Sequence, residues 1–247
     1  MKEVIRIGKE YLEDLLKAAS PGYRCRAFRA ANWAVSPSGN VVRALIENDI
    51  QIETSVFKHG RRDGMVSFDY TNAHSELVPW PVDEEDVCRK SESGQLVEFP
   101  IYCERRWIGA FLTRHRIYRA RQTRAHPITG AYGSHGLPRA GNSRAGKLRA
   151  RLSTLTGKHA WKADFNQCTG RQLIGALKRA EARYAGMASD LPFVLIGHSK
   201  LFTEANERSL RPFLDFVAGE QQRFGFATFG DFTHAAPSRA AQAGRAH

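Results

Sequence analysis

No apolar run in the chain exceeds a handful of residues, so no segment can cross a bilayer as a helix. The opening stretch MKEVIRIGKEYLEDLL is charged throughout and lacks the apolar core of a signal peptide. Together these absences predict a soluble, cytoplasmic protein. The 4 cysteines, Cys25, Cys88, Cys103 and Cys168, stand far apart with no C-x-x-C pair, which excludes a zinc-knuckle spacing and a thioredoxin-like motif and predicts reduced thiols. Acidic residues are missing from one long stretch: from Arg105 to Ala163 there is no Asp or Glu, against fourteen Lys or Arg. The net charge of +12 therefore belongs to that stretch, and the rest of the chain is slightly negative. This concentration raises one functional class, a polyanion- or nucleic-acid-binding module built on residues 105–162. The stretch has few aromatics over most of its length, no zinc-finger or helix-turn-helix signature and many loop formers, so nucleic acid is not the expected partner.

What is present reads as a globular α/β chain of 247 residues, 42% of them hydrophobic. Residues 2–18 place Val4, Ile5, Leu12, Leu15 and Leu16 near one face of an amphipathic helix that ends at Ser20-Pro21-Gly22. A short strand and loop occupy YRCRAFRAANWAVSPSGN, and Asn40 to Asn48 predicts a second helix leading into the strand IQIETSV at 50–56. HGRRDG and HSELVPWPVDEED form a long excursion, of a length that suggests a functional loop or flap. LVEFPIYC at 96–103 predicts a strand. From about 114 to 151 the pattern dissolves into Gly, Ser, Pro, Arg and Ala, the composition of a basic flexible insertion. Thr169 with Gln172 predicts a capping box. FVLIG at 193–197 predicts a buried parallel strand, 207–222 a helix with Pro212 near its first turn, FGFATFGDF at 224–232 a last strand, and 233–247 a frayed tail. Alternating strands and helices argue for a largely parallel sheet or barrel.

The stretch FVLIGHSKLF poses a choice of chemistry. A nucleophile elbow, G-x-S-x-G, needs a second glycine where this chain has Leu201. Only 48 residues follow Ser199, carrying Asp215, Asp231 and His234, a length too short for the remaining elements of such a sheet. The choice falls on His198.

Three stretches, in order, resemble the later motifs of the NodB-like polysaccharide deacetylases (carbohydrate esterase family 4). GYRCRAFRAANW is similar to the family's loop carrying an active-site arginine, here Arg29; ALIENDIQIETSVF is similar to its helix-to-strand segment; FVLIGHSK is similar to the element whose histidine is the general acid, here His198. The loop FDYTNAHSELVPW and the strand LVEFPIYC follow as they do in exopolysaccharide-associated members, and the resemblance covers about residues 8–105 and 164–232. It implies a distorted (β/α) barrel with its site at the C-terminal ends of the strands. The family's chemistry is removal of acetyl groups from N-acetyl sugars by water on zinc or another divalent ion, with a histidine protonating the leaving amine. Arg29 would hold the catalytic base by a charge-assisted hydrogen bond. Trp33 and Trp80 would border the cleft as platforms for pyranose rings, or plug the barrel end. Glu98 would point into the barrel mouth or pair with an arginine.

The family's T-F-D-D and H-x-x-x-H motifs, which supply the base and the metal ligands, do not occur: no two histidines stand four apart. No cofactor is therefore expected on this chain. Ligands from elsewhere, such as His59, His74, Asp69 or Asp83, would sit in loops where single histidines are ordinarily solvated. The resemblance implies the C-terminal two-thirds (1–232) of a deacetylase-like domain, a partial NodB-type barrel missing its first strands, truncated and inactive or a non-catalytic relative. Its expected partner is an N-acetylated polysaccharide or a lipid-linked oligosaccharide.

Overall fold

A computed structural model describes residues 1–113 except Met65, residue 117, and 155–235 except Ala188. Most of the basic insertion and the end of the tail, residues 236–247, thus lie outside the described residues. Helix α1 (Lys2–Leu16) and helix α2 (Gly39–Glu47) pack together. Only Ile5 of α1 is buried, whereas Val4 and Leu15 of the anticipated apolar face are exposed. Polar ties position this helix instead. Lys9 Nζ donates to Asn48 O at 2.9 Å, Asn48 Nδ2 donates to Lys2 O at 3.1 Å, and Glu13 accepts from the Cys25 amide at 2.9 Å. Helix α2 buries Val42, Ala44 and Leu45 and stops at Asn48, whose side chain caps the Ala44 carbonyl.

Strands β1 (Ala27–Phe28) and β2 (Ile52–Glu53) pair in parallel. The long excursion folds back on the core through the hairpin of β3 (Arg61–Arg62) and β4 (Phe68–Asp69) and through β5 (Trp80–Pro81). It buries Phe57, Phe68, Tyr70, Trp80, Val82 and Val87, which is the content of a core element and not of a loose flap. Strand β6 (Val97–Glu98) lies parallel to β2 and antiparallel to β5, giving the sheet order β1-β2-β6-β5. Beyond the short ladders, Val56 O accepts from Ile101 N and Val194 O from Tyr102 N; Ala163 O accepts from Ile196 N. Single parallel bridges join Ile101 to Val194 and Asp164 to Ile196, so FVLIG runs parallel to its neighbours.

Strand β7 (Cys103–Trp107) forms an antiparallel ribbon with β8 (Lys158–Lys162), so that β7 enters the acid-free stretch just after Glu104 and β8 closes it. The basic stretch is therefore pinned at its two ends. Thr169 caps helix α3 (Gly170–Tyr184) in the anticipated box with Gln172. Helix α4 spans Glu204–Gly219, starting earlier than the apolar pattern suggests because Thr203 and Asn206 form a second capping box. Pro212 consequently lies inside α4, where it removes one intrahelical donor. The residues at 224–232 do not form a strand. They lead into a 3-10 turn, Phe229–Ala235, and its pitch of three residues per turn puts Phe229 and Phe232 on one face against Phe99, at 5.7 and 5.5 Å between ring centres.

The architecture is mixed α/β. Among the described residues its strand pairings do not close into a ring. One core cluster lies around β1, β2, β6 and α2, and a second holds Trp161, α3 and α4.

Candidate functional site

The parallel strands β1, β2 and β6 carry residues at their C-terminal ends that converge from separate parts of the sequence. Arg29 follows β1 directly. Its Nε donates to Thr54 O at 2.8 Å and its Nη2 to Thr54 Oγ1 at 3.0 Å, while Thr54 Oγ1 donates onward to Phe99 O at 2.8 Å. The guanidinium thus clips three strands together. Burial pulls its pKa below the ordinary arginine value, partly countered by the charges of Glu53 and Glu98.

Glu53 and Glu98 are register partners across β2 and β6, and both are 0% exposed. The Glu53 carboxylate accepts from Ser55 N at 3.0 Å and from the Ser55 hydroxyl. Ser55 Oγ in turn accepts from Ala30 N at 2.7 Å, linking the carboxylate to the loop after Arg29. Glu98 Oε1 accepts from Val56 N at 3.0 Å, and among the described residues its Oε2 has no hydrogen-bond partner. Burial, and then the neighbouring Glu53 charge, raise the Glu98 pKa well above the carboxylate range.

Trp33 ends the 3-10 turn Ala31–Trp33, with Asn32 at φ 57° and Trp33 at φ 59°. Two consecutive left-handed non-glycine residues cost on the order of 1–2 kcal/mol each and persist only where the surroundings hold them. Tyr70 supplies that hold: its hydroxyl donates to Trp33 O at 2.6 Å and accepts from Val35 N at 2.9 Å. Burial pushes its phenol far above its ordinary range. The Trp33 ring is half-buried between partners. The ammonium of Lys162 stands 3.7 Å from its centre and 4.4 Å from that of Phe57; the His198 ring lies 6.0 Å away at a 48° tilt.

Asn166 fixes the backbone at His198. Its Oδ1 accepts from His198 N at 2.5 Å, and its Nδ2 donates to His198 O at 3.4 Å. Asp164 orders Asn166 from one side and Asn206 of α4 from the other. The glycine before His198 is there for packing: a Cβ at Gly197 would stand 2.1 Å from the Phe165 ring.

Of the four site residues expected from sequence, Arg29 and Trp33 share one loop, and Trp33 meets His198. Trp80 does not join them. It is fully buried in β5, its indole donating to Val87 O at 3.1 Å, and presents no ring face to a cleft. Arg29 grips Thr54 where the family pattern has an acidic base. Lys162, Tyr70, Asn166 and the Glu53–Glu98 pairing went unread, although I-E-T and V-E-F each set a glutamate inside an apolar strand.

Among the described residues no group of three His, Cys, Asp or Glu could hold a metal ion. The four alternative ligands are otherwise engaged. His59 stands 3.9 Å from Glu76, His74 packs on Trp80, Asp69 lies 3.7 Å from Arg61, and Asp83 accepts from the amides of Glu85 and Asp86. Cysteine chemistry is equally remote: burial pushes Cys88 and Cys103 up to about 12, where the reactive thiolate is scarce. No family model matches the chain, and no curated protein or solved structure matches it either.

Proposed function

We propose that the chain is a polysaccharide deacetylase-like protein, part of a NodB-type (β/α) barrel, that binds an N-acetylated sugar polymer across the Trp33–His198 surface. The meeting of these two rings at the C-terminal ends of parallel strands, beside the Lys162 ammonium, carries the reading. An aromatic face suits the apolar side of a pyranose ring. An imidazole beside it suits an amide or hydroxyl of the same sugar, the place a leaving-group acid occupies in the family's reaction. Arg29 anchors the loop that presents Trp33. The family's zinc does not fit the described residues, which bring no ligand set together, and no hydrolytic step is derived through it.

Titration of tryptophan fluorescence with oligomers of N-acetylglucosamine tests the proposal. Trp33→Ala is expected to weaken binding at least about tenfold, the loss of roughly 1.4 kcal/mol. Unchanged affinity in that variant, or no response to N-acetylated oligosaccharides at millimolar concentration, refutes it.

A further inference from the structure

A cavity lies where the β7–β8 ribbon meets α3, lined by residues that take no part in the Trp33–His198 surface. Its volume is about 230 Å³, and Arg106, Arg171, Arg179 and Trp161 are among its walls. Arg171, Gly175 and Arg179 recur every fourth residue, so one face of α3 is turned to the cavity, and the missing side chain of Gly175 gives room to the Arg179 guanidinium, whose Nη1 would stand 3.2 Å from a Cβ there. Arg106 reaches in from β7.

The charges do not balance. Arg179 grips the nearly buried Glu104 through two bonds, Nε to Oε2 at 3.0 Å and Nη2 to Oε1 at 2.5 Å. Arg106 approaches the same carboxylate at 3.4 Å. Among the described residues Arg171 makes no hydrogen bond or ion pair, and the first turn of α3 holds no acidic residue. Three guanidiniums thus face one carboxylate. Like charges held together in a concavity raise the local potential and favour an anion of matching charge.

The geometry points to this cavity as a binding site for a dianionic phosphoryl group, free or esterified to a sugar. Guanidinium forks engage phosphoryl oxygens in bidentate pairs, and the excess of two positive charges is neutralised by one dianion. Trp161 provides an apolar wall beside the oxygens. The inference stands apart from the reading of the Trp33–His198 surface and survives its failure.

Isothermal titration of the full chain at pH 8 and constant ionic strength tests it, with inorganic phosphate, glucose 1-phosphate and glucuronate as probes. Both phosphates are expected to bind, and the monoanionic glucuronate at least about tenfold more weakly. Tighter binding of glucose 1-phosphate would identify the ester as the preferred source, and tighter inorganic phosphate the free anion. Arg171→Gln and Arg106→Gln should each weaken phosphate about tenfold or more, as loss of a charge-assisted hydrogen bond does. Arg208→Gln, whose pair with Glu204 lies on α4, should leave it unchanged. Arg171 is exposed, so its variant is the decisive one if Arg106→Gln does not fold. Phosphate affinity indifferent to Arg171→Gln, equal affinity for glucuronate, or no binding heat with either phosphate overturns the inference.

Discussion

Replacing Glu98 by glutamine should make the protein less sensitive to rising pH. Glu98 is fully buried opposite Glu53, and its pKa is raised by burial and by that neighbouring charge. In the unfolded chain it releases its proton near the ordinary value of 4.5. Above that pH, and until the raised value is reached, the folded chain holds one proton that the unfolded chain has lost. Stability then falls with pH at about 1.4 kcal/mol per unit. Glu98→Gln keeps the oxygen that accepts from Val56 N and cannot titrate, so its stability carries no such slope. Urea unfolding in half-unit steps from pH 4 upward should give curves that start close together and diverge, with the variant more stable at neutral pH. Glu98→Leu separates charge from hydrogen bonding: it also lacks the slope, but orphans the Val56 amide and costs about 1–3 kcal/mol throughout. Parallel wild-type and Glu98→Gln profiles across this range would refute the reasoning, because they would mean that Glu98 titrates alike folded and unfolded.

Two further outcomes are expected. Gly197→Ala drives a methyl group into the Phe165 ring and should lower stability by about 1–3 kcal/mol, as overpacking does; a thermal melt indistinguishable from wild type would contradict the packing role given to Gly197. Purified protein should hold no stoichiometric zinc, and metal analysis giving one tightly held zinc per chain would contradict the lack of a ligand set among the described residues.

Local signals in the sequence that coincide with a physical device were legible. Thr169 and Gln172 cap α3 as their spacing indicates, and FVLIG lies in parallel register with its neighbours. Other elements depend on partners that no local pattern encodes. C-E-R-R-W becomes a strand because K-H-A-W-K, more than 40 residues on, offers a matching edge. Phe229 and Phe232 suit a strand or a 3-10 turn equally until Phe99 selects the latter. The early start of α4 was hidden because its box closes with asparagine at Asn206 instead of the usual Glu or Gln. At the candidate site, the sequence singled out Arg29, Trp33 and His198, and the structure sets the Trp33 ring beside that of His198. Lys162 was not, since its role comes from the Trp33 ring beneath it.

The ribbon of β7 and β8 sets Trp107 opposite Lys158 in register. The ribbon therefore holds Trp107 and Lys158 side by side, and residues 108–113 still pack on the body, Thr113 Oγ1 donating to Gln167 O at 3.1 Å, so exchangeable chain begins only after Thr113. Because the entropic cost of closing a loop grows only by about 0.6 kcal/mol for each doubling of length, this is a natural splice point. Evolution or an engineer can lengthen, shorten or exchange the segment there while the sheet and its rim stay as they are.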